Sequence, residues 1–148
     1  MIPSFFVRSQ SLGKLYHHQF KPLLERYGLT QIEADILLFL ANNAPMDTAS
    51  DIVEKRHLSK SHVSVGIDSL VRRGYLERFC RDGNRKTIHL RLLPAAGEVV
   101  AAGRDVQRRY AACLFRGFGG DEVEALSKML NRIADNVEEE LSSARERP

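Results

Sequence analysis

The run LSKSHVSVGIDSLVRRGYL, residues 58–76, constrains the fold more than any other part of the sequence. Ser59 is a favourable residue for a helix N-cap, and Gly74 stands where a helix often ends in a left-handed residue. Between them, apolar residues recur at helical spacing and form one stripe: Val63, Ile67, Leu70 and Val71. The pattern predicts a helix over residues 59–73 that is packed by one face and presents small polar side chains on the other.

A β-hairpin is predicted directly after this helix. Residues 75–81 and 86–92 have strand composition, and Asp82-Gly83 between them is a strong signal for a tight turn. The return strand alternates, with Ile88, Leu90 and Leu92 on one face and Thr87, His89 and Arg91 on the other. A short helix is predicted over residues 48–56, so the order helix, turn, helix and hairpin has the layout of a winged helix-turn-helix.

Two more helices are predicted before this unit. The first covers about residues 4–27, where Pro22 should kink or interrupt it and Gly28 should end it. Its apolar stripe consists of Phe5, Leu12, Tyr16, Phe20, Leu23 and Tyr27. The second helix should begin with a capping box formed by Thr30 and Glu33.

Two longer helices are predicted after the hairpin. Pro94 suits the first turn of one, which should run to about Arg116, and the sequence GFGG then breaks the chain. The last helix should begin at Asp121. It carries a heptad-like apolar seam made of Val123, Leu126, Leu130, Ile133, Val137 and Leu141. The expected fold class is therefore mainly α with a small β-hairpin (α+β).

The net charge of +3 is unevenly distributed along the chain. Residues 55–91 hold ten Lys and Arg against three acids, whereas residues 121–148 hold eight acids against four Lys and Arg. A basic middle indicates contact with a polyanion. The alternative is a mixture of charges that only keeps the surface hydrated.

The polar face of the helix at residues 59–73 has side chains that suit a DNA major groove. Hydroxyls and an imidazole can hydrogen-bond to base edges, and a valine can contact a thymine methyl group. Cations cluster in the first turn, which is favourable if a phosphate docks there, although exposed charges also tolerate such positions at little cost. The candidate DNA-reading residues are Ser59, Lys60, Ser61, His62, Ser64, Val65 and Asp68.

The hairpin tip, CRDGNRK, crowds three cations around a tight turn. Such a tip can reach a minor groove, where arginine responds to the negative potential of a narrowed groove. We expect Asp82 to brace Arg85 across the turn; the alternative is a solvated turn with incidental charges. The candidate wing residues are Arg81, Asp82, Asn84, Arg85 and Lys86.

These residues resemble the MarR family of bacterial transcription regulators. The family's Ser-rich start of the reading helix, its Leu-x-x-x-Gly-Tyr-Leu exit and its acidic-then-Arg wing match the stretch from Leu58 to Lys86. Three positions depart from expectation. Asn84 replaces an acid often found in the wing, and Leu93 replaces the threonine that usually caps the next helix. Gly66 in mid-helix costs up to about 1 kcal/mol relative to Ala, which close packing or close approach to DNA would explain.

The resemblance implies a homodimeric transcription regulator, a ligand-responsive repressor that binds double-stranded DNA at a pseudo-palindromic operator. Residues 1–28 and 94–148 would form the helical dimerisation region and residues 29–93 the winged helix-turn-helix, in one continuous fold. The family often binds small aromatic acids, so an aromatic effector would contact Tyr16, Phe20 and Tyr110, which otherwise are ordinary core residues. The alternative function is a winged-helix module that binds another protein.

Other chemistry is not expected. The sequence contains no catalytic constellation, so we expect no enzymatic activity and no cofactor. His17 and His18 point in different directions on a helix and lack the partners of a metal site, and Cys80 and Cys113 are expected to be inert thiols. The start lacks the features of a signal peptide and no apolar run could span a membrane, so we expect a cytoplasmic protein.

Overall fold

The computed structural model describes the backbone of residues 2–146 and the side chains of residues 8–144, so the predicted packing of Phe5 lies outside the described residues. The predicted mainly α architecture with one β-hairpin is confirmed. The chain forms two compact units, one up to Tyr110 and one from Ala111 onward. The elements are α1 (Ile2–Tyr27), α2 (Gln31–Asn42), α3 (Ala49–Arg56), α4 (Lys60–Arg72), β1 (Leu76–Arg81), β2 (Asn84–Leu92), a 3-10 turn (Pro94–Ala96), α5 (Gly97–Leu114) and α6 (Gly120–Glu146).

Side-chain caps set where α2, α3 and α4 begin. The Thr30 hydroxyl accepts from the Glu33 N–H at 3.2 Å while the Glu33 carboxylate accepts from the Thr30 N–H at 2.8 Å, which confirms the predicted capping box. Thr48 and Asp51 form a second capping box at the start of α3. Ser59 caps α4 as predicted. These bonds satisfy amide groups that a helix start leaves unpaired.

The predicted interruption of α1 is wrong. The helix runs continuously through Pro22, although proline removes a backbone donor and crowds the preceding turn. Phe20 is fully buried and Leu23 nearly so, and their packing into the core holds the helix across this position. Gly28, with φ of 61°, ends the helix as predicted.

The boundaries of the last two helices are close to those predicted. The 3-10 turn at Pro94–Ala96 leads into α5, and Leu93 in the N-cap position makes no side-chain cap, as expected. α5 ends at Leu114, slightly earlier than predicted. In the second unit, α6 begins at Gly120, next to a hydrogen bond from the Gly119 N–H to the Glu122 carboxylate of 2.8 Å.

The core of the first unit is centred on the packing of α4 against α2. Val63, Ile67 and Leu70 are at most 2% exposed, and Val71 packs against them, so the predicted apolar stripe is confirmed. These residues meet α2, whose Glu33, Ala34, Asp35, Ile36, Leu37, Leu38 and Phe39 are all buried. The opposite face of α4 is thereby turned toward solvent.

Gly66 lies inside this helix–helix contact. A Cβ atom added at Gly66 would lie 2.8 Å from the Cδ1 of Ile36 and 3.3 Å from the Cγ2 of Ile32. Real Cβ contacts almost never come that close, so an added methyl group would have to displace the end of the Ile36 side chain. Of the two explanations for Gly66, close packing is the one that the structure supports.

The hairpin is joined to the segment before α3. β1 and β2 are antiparallel, with Leu76 opposite Leu92, and the register shifts near the tip between Phe79 and Arg81. The Leu90 N–H donates to the Asp47 carbonyl at 2.8 Å. This bond fixes the base of the hairpin to the helical part of the unit.

The two faces of β2 differ from the predicted alternation at two positions. Ile88 is 52% exposed, because β2 reaches the core only further along, at Leu90. His89 was predicted to share a polar face with Thr87, yet its side chain is only 12% exposed. The reason is a partner distant in sequence: the His89 Nδ1 lies 2.6 Å from the Asp47 carboxylate.

We expect Gly66→Ala to lower the free energy of unfolding by about 1 kcal/mol, because overpacking against Ile36 outweighs the gain in helix propensity. Gly97→Ala is the matched control: it lies in a helix with nothing within 4 Å of the added atom, and should be neutral or slightly stabilising. Urea unfolding at one protein concentration compares the two. Equal midpoints for both variants would contradict the tight contact.

Candidate nucleic-acid interface

The seven predicted reading residues all lie on the solvent side of α4 or at its N-cap. Each of Ser59, Lys60, Ser61, His62, Ser64, Val65 and Asp68 is exposed. The buried stripe on the opposite side determines this orientation, since residues separated by three or four positions share a helix face. Their roles in reading bases stay predictions, but the arrangement those roles require is present.

Ser59 has a structural task at the start of α4. Its hydroxyl accepts a hydrogen bond from the His62 N–H at 3.2 Å, and its oxygen lies 3.4 Å from the Ser61 hydroxyl. Ser59 therefore shapes the first turn, while the side chains of Lys60 and His62 extend from it into solvent.

Arg56, which precedes this turn, contacts a buried acid. Its Nη2 lies 3.4 Å from the Asp35 carboxylate, whose side chain is 8% exposed. Gln31 donates to the same carboxylate at 3.1 Å. Burial raises the pKa of Asp35, and the nearby Arg56 and the Gln31 hydrogen bond offset this only in part. The pair ties the end of α3 to α2 and so positions the turn that leads into α4.

Asp68 also has a partner within the protein. An ion pair joins its carboxylate to Arg78 on β1, and both side chains remain partly exposed. This pair connects the reading helix directly to the wing. Asp68 was predicted to face the groove as a base reader; its position is exposed, but its carboxylate is paired with Arg78.

The hairpin tip is organised by Asn84 rather than by Asp82. Asn84 accepts from the Lys86 N–H at 2.9 Å. Within the described part of the chain, no hydrogen bond or ion pair joins Asp82 to Arg85, so the expected brace across the turn is absent. Asp82 and Arg85 are both exposed.

Asp47 holds the first cation of the tip. The Arg81 Nη2 lies 3.1 Å from one oxygen of Asp47, and the other oxygen contacts His89. Sequence reasoning missed Asp47 and His89 because the contact joins residues more than thirty positions apart. The alternation of apolar and polar residues in β2 predicted instead that His89 lies on the polar face of the strand.

Arg73 anchors the far end of α4. Its guanidinium donates to the carbonyls of Gly28 at 2.8 Å and Tyr27 at 2.5 Å. Those carbonyls belong to the end of α1, so Arg73 ties α4 to that helix. No local sequence signal indicates this partner.

Four cations of the basic stretch have no such partner. Among the described residues, no ion pair or side-chain hydrogen bond engages Lys60, Arg72, Arg85 or Lys86. Lys60 begins α4, Arg72 ends it, and the other two lie at the hairpin tip. The positive charge left available is thus placed at both ends of the exposed helix face and on the wing.

The predicted aromatic residues form a packed cluster. Tyr16 lies 4.5 Å from Phe20 and 5.2 Å from Tyr110 between ring centroids. Gln107 donates to the Tyr16 hydroxyl at 3.3 Å, and the Tyr110 hydroxyl donates to the Leu12 carbonyl at 3.0 Å. Burial raises the pKa of both tyrosines. The structure brings the three residues together, with Phe20 fully in the core.

Three further features bear on the sequence-based expectations. No three His, Cys, Asp or Glu side chains among residues 8–144 gather closely enough to hold a metal ion. Cys80 is exposed on the wing and Cys113 is half-buried, and both are unpaired thiols. None of the described helices is long and apolar enough to cross a membrane.

A helix that follows a tight turn and packs on the core by one apolar stripe, with a two-stranded wing after it in the chain, defines a winged helix-turn-helix protein. Residues 27–86 match the model of the MarR family, which confirms the resemblance seen in the sequence. The matched stretch includes α2, α3, α4 and the hairpin tip. No curated protein sequence matches the chain.

Solved structures of MarR-family regulators share the fold. A protein of Listeria monocytogenes, described as a MarR-family transcriptional regulator and solved with a 26-mer DNA, has a TM-score of 0.81 and 15% identity, covering 100% of this chain and 96% of its own. A MarR-family regulator from Silicibacter pomeroyi has a TM-score of 0.78 and 19% identity, covering 93% of this chain and 90% of its own.

A third structure concerns a protein whose DNA binding responds to a small molecule. It is BpsR of Bordetella bronchiseptica, described as regulated in its DNA binding by 6-hydroxynicotinic acid. It has a TM-score of 0.68 and 16% identity and covers 90% of this chain and 99% of its own. At identities this low, the structural similarity establishes the common fold alone.

We expect Asp35→Asn to raise the free energy of unfolding at pH 7. A carboxyl whose pKa is higher in the folded than in the unfolded state binds more protons when folded, so its contribution to stability falls as the pH rises through that window. Asparagine keeps an acceptor for Gln31 without a buried charge.

Urea unfolding across a pH series measures this effect. The advantage of Asp35→Asn should shrink as the pH falls through the raised pKa and disappear below the ordinary Asp value of 3.8. A variant less stable than the parent at pH 7 would mean that the Arg56 ion pair stabilises more than burial of the charge costs.

Proposed function

We propose that this protein is a homodimeric, ligand-responsive repressor of transcription that binds double-stranded DNA at a pseudo-palindromic operator. The observation that supports this most directly is the outward face of α4, which is exposed, polar and flanked by cations without protein partners. A surface of this kind is complementary to a nucleic-acid groove edged by phosphates.

In this proposal α4 enters the major groove. Lys60 and Arg72, at the two ends of the helix, contact phosphates on either side of the groove, while His62 and its neighbours meet base edges. The wing places Arg85 and Lys86 at an adjacent minor groove. The Asp68–Arg78 pair keeps the wing in register with α4, so the two elements dock as one surface.

A second copy of the chain is the partner that we propose for α6. Four residues of its apolar seam are each about half exposed, namely Leu130, Ile133, Val137 and Leu141, as is the neighbouring Met129. A continuous apolar stripe of this length is unusual on the surface of a monomer. Two copies would hold their α4 helices about 34 Å apart, one turn of DNA, and so bind a pseudo-palindrome.

The effector that we propose is a small aromatic molecule near Tyr16, Phe20 and Tyr110. Aromatic side chains offer such a ligand ring contacts, and the two hydroxyls offer it hydrogen bonds. Bound ligand would favour one spacing of the two α4 helices over another, a population shift that releases the operator. We infer no enzymatic role for the chain.

Selection of bound sequences from a random duplex pool tests the central proposal. Half-sites repeated about ten base pairs apart in inverted order are the expected result. Binding to the selected duplex should then weaken steeply with salt, since each phosphate contact releases about 0.9 counterion. A salt dependence near zero, with no enriched sequence, would instead favour a winged-helix module that binds proteins.

Arg85→Ala should weaken binding to most duplexes and reduce the slope of log affinity against log salt by about one unit per subunit. Lys21→Ala, which removes the same charge from an exposed position on α1, is the matched control and should change the slope little. Fluorescence anisotropy at several salt concentrations supplies both slopes. Equal slopes for the two variants would remove the wing from the proposed interface.

Arg78→Ala should weaken operator binding by up to about fivefold, because the Asp68 carboxylate would then face DNA phosphates without its partner. Adding Asp68→Asn in the same chain should restore most of the lost affinity. If the double variant binds as weakly as Arg78→Ala alone, Arg78 contributes by contacting DNA itself, not by neutralising Asp68.

A further inference from the structure

The centre of the outward face of α4 is occupied by an apolar side chain. Val65 is 66% exposed, more than any other large apolar side chain that the structure describes. It belongs to no part of the core, whose contacts on α4 come from the opposite stripe. A branched residue also loses side-chain freedom in a helix, so local folding gains nothing from valine at this position.

Two polar neighbours of Val65 on the same face, one turn away on either side, are short and already engaged. Ser61, one turn before it, has its hydroxyl 3.4 Å from that of Ser59. Asp68, one turn after it, is paired with Arg78. Val65 therefore projects between two side chains that are held by the protein.

The side chains that usually distinguish bases by paired hydrogen bonds are missing from the middle of this face. Residues 61–71 contain no Arg, Lys, Asn or Gln, the residues that bond guanine or adenine through two atoms. Sequence preference at the middle of α4 must then come from single hydrogen bonds and from shape. The thymine methyl is the apolar group that base edges present in the major groove.

We propose that Val65 reads the 5-methyl group of one thymine in each half-site of the operator. This inference rests on the proposed function, because it assumes that α4 lies in a major groove. The isopropyl group of Val65 packs against the methyl and removes both from water. A cytosine, which lacks the methyl, would leave Val65 facing an unfilled and polar edge.

The test replaces thymine by deoxyuridine, which removes the methyl and keeps the base-pairing edge. In the duplex obtained by selection, each thymine of a half-site is replaced in turn, and affinity is measured by anisotropy. One position should lose about fourfold in affinity per half-site, the effect of one buried methyl-sized group. The other positions should change little.

Val65→Ala then identifies the residue responsible. This variant should bind the thymine and uracil duplexes equally, about as weakly as the parent binds the uracil duplex. Ile88→Ala, which shortens another exposed branched side chain, is the matched control and should keep the fourfold preference for thymine. Because Val65 is exposed, the substitution should leave the thermal midpoint of the protein nearly unchanged, which circular dichroism checks.

The possible outcomes separate this inference from the proposed function. If the parent binds a selected duplex but no thymine is sensitive to loss of its methyl, the inference is overturned and DNA binding stands. If Val65→Ala keeps the preference for thymine, the methyl is read by another residue and the inference again fails. Failure of the parent to bind any duplex overturns both.

Discussion

The packing of α4 on α2 is the contact on which the rest of the structure depends. A helix turns by about 100° per residue, so the stripe that is buried decides which side chains face outward. Gly66 leaves room for the Ile36 side chain in this contact, and Val63 and Leu70 hold the helix on either side of it. The exposed face is a consequence of this contact and needs no separate explanation.

Ion pairs with aspartates then determine which positive charges near α4 have no partner within the protein. Asp35 holds Arg56 at the end of α3, Asp47 holds Arg81 at the wing, and Asp68 pairs with Arg78 between them. Each pair joins two elements and so fixes the wing and the turn relative to α4. Within residues 55–91, the cations left without partners in the described structure lie at the ends of α4 and at the tip: Lys60, Arg72, Arg85 and Lys86.

The second unit has the opposite character. α6 carries an acidic surface and a seam of half-exposed apolar side chains, which its own unit cannot cover. A helix of this kind lowers its free energy by burying the seam against a partner of matching shape. Under the proposed function that partner is a second copy, and the same association sets the distance between the two reading helices.

Local patterns were enough to predict the helices, their caps and the hairpin, because these depend on residues within a few positions of one another. The stripe at Val63, Ile67 and Leu70 and the capping box at Thr30 are confirmed for this reason. The predicted interruption of α1 at Pro22 is wrong because the packing of Phe20 and Leu23 in the core outweighs the local cost of proline in a helix.

The amino-acid sequence by itself thus determined the fold class, the position of the candidate reading helix and the identity of its exposed side chains. Only the tertiary structure decided which of the charged residues near that helix are engaged. Asp47 with His89 and Arg73 with Gly28 meet across more than forty positions of the chain. Such pairs leave no periodic trace in the sequence, because they exist only once the helices and the wing have packed.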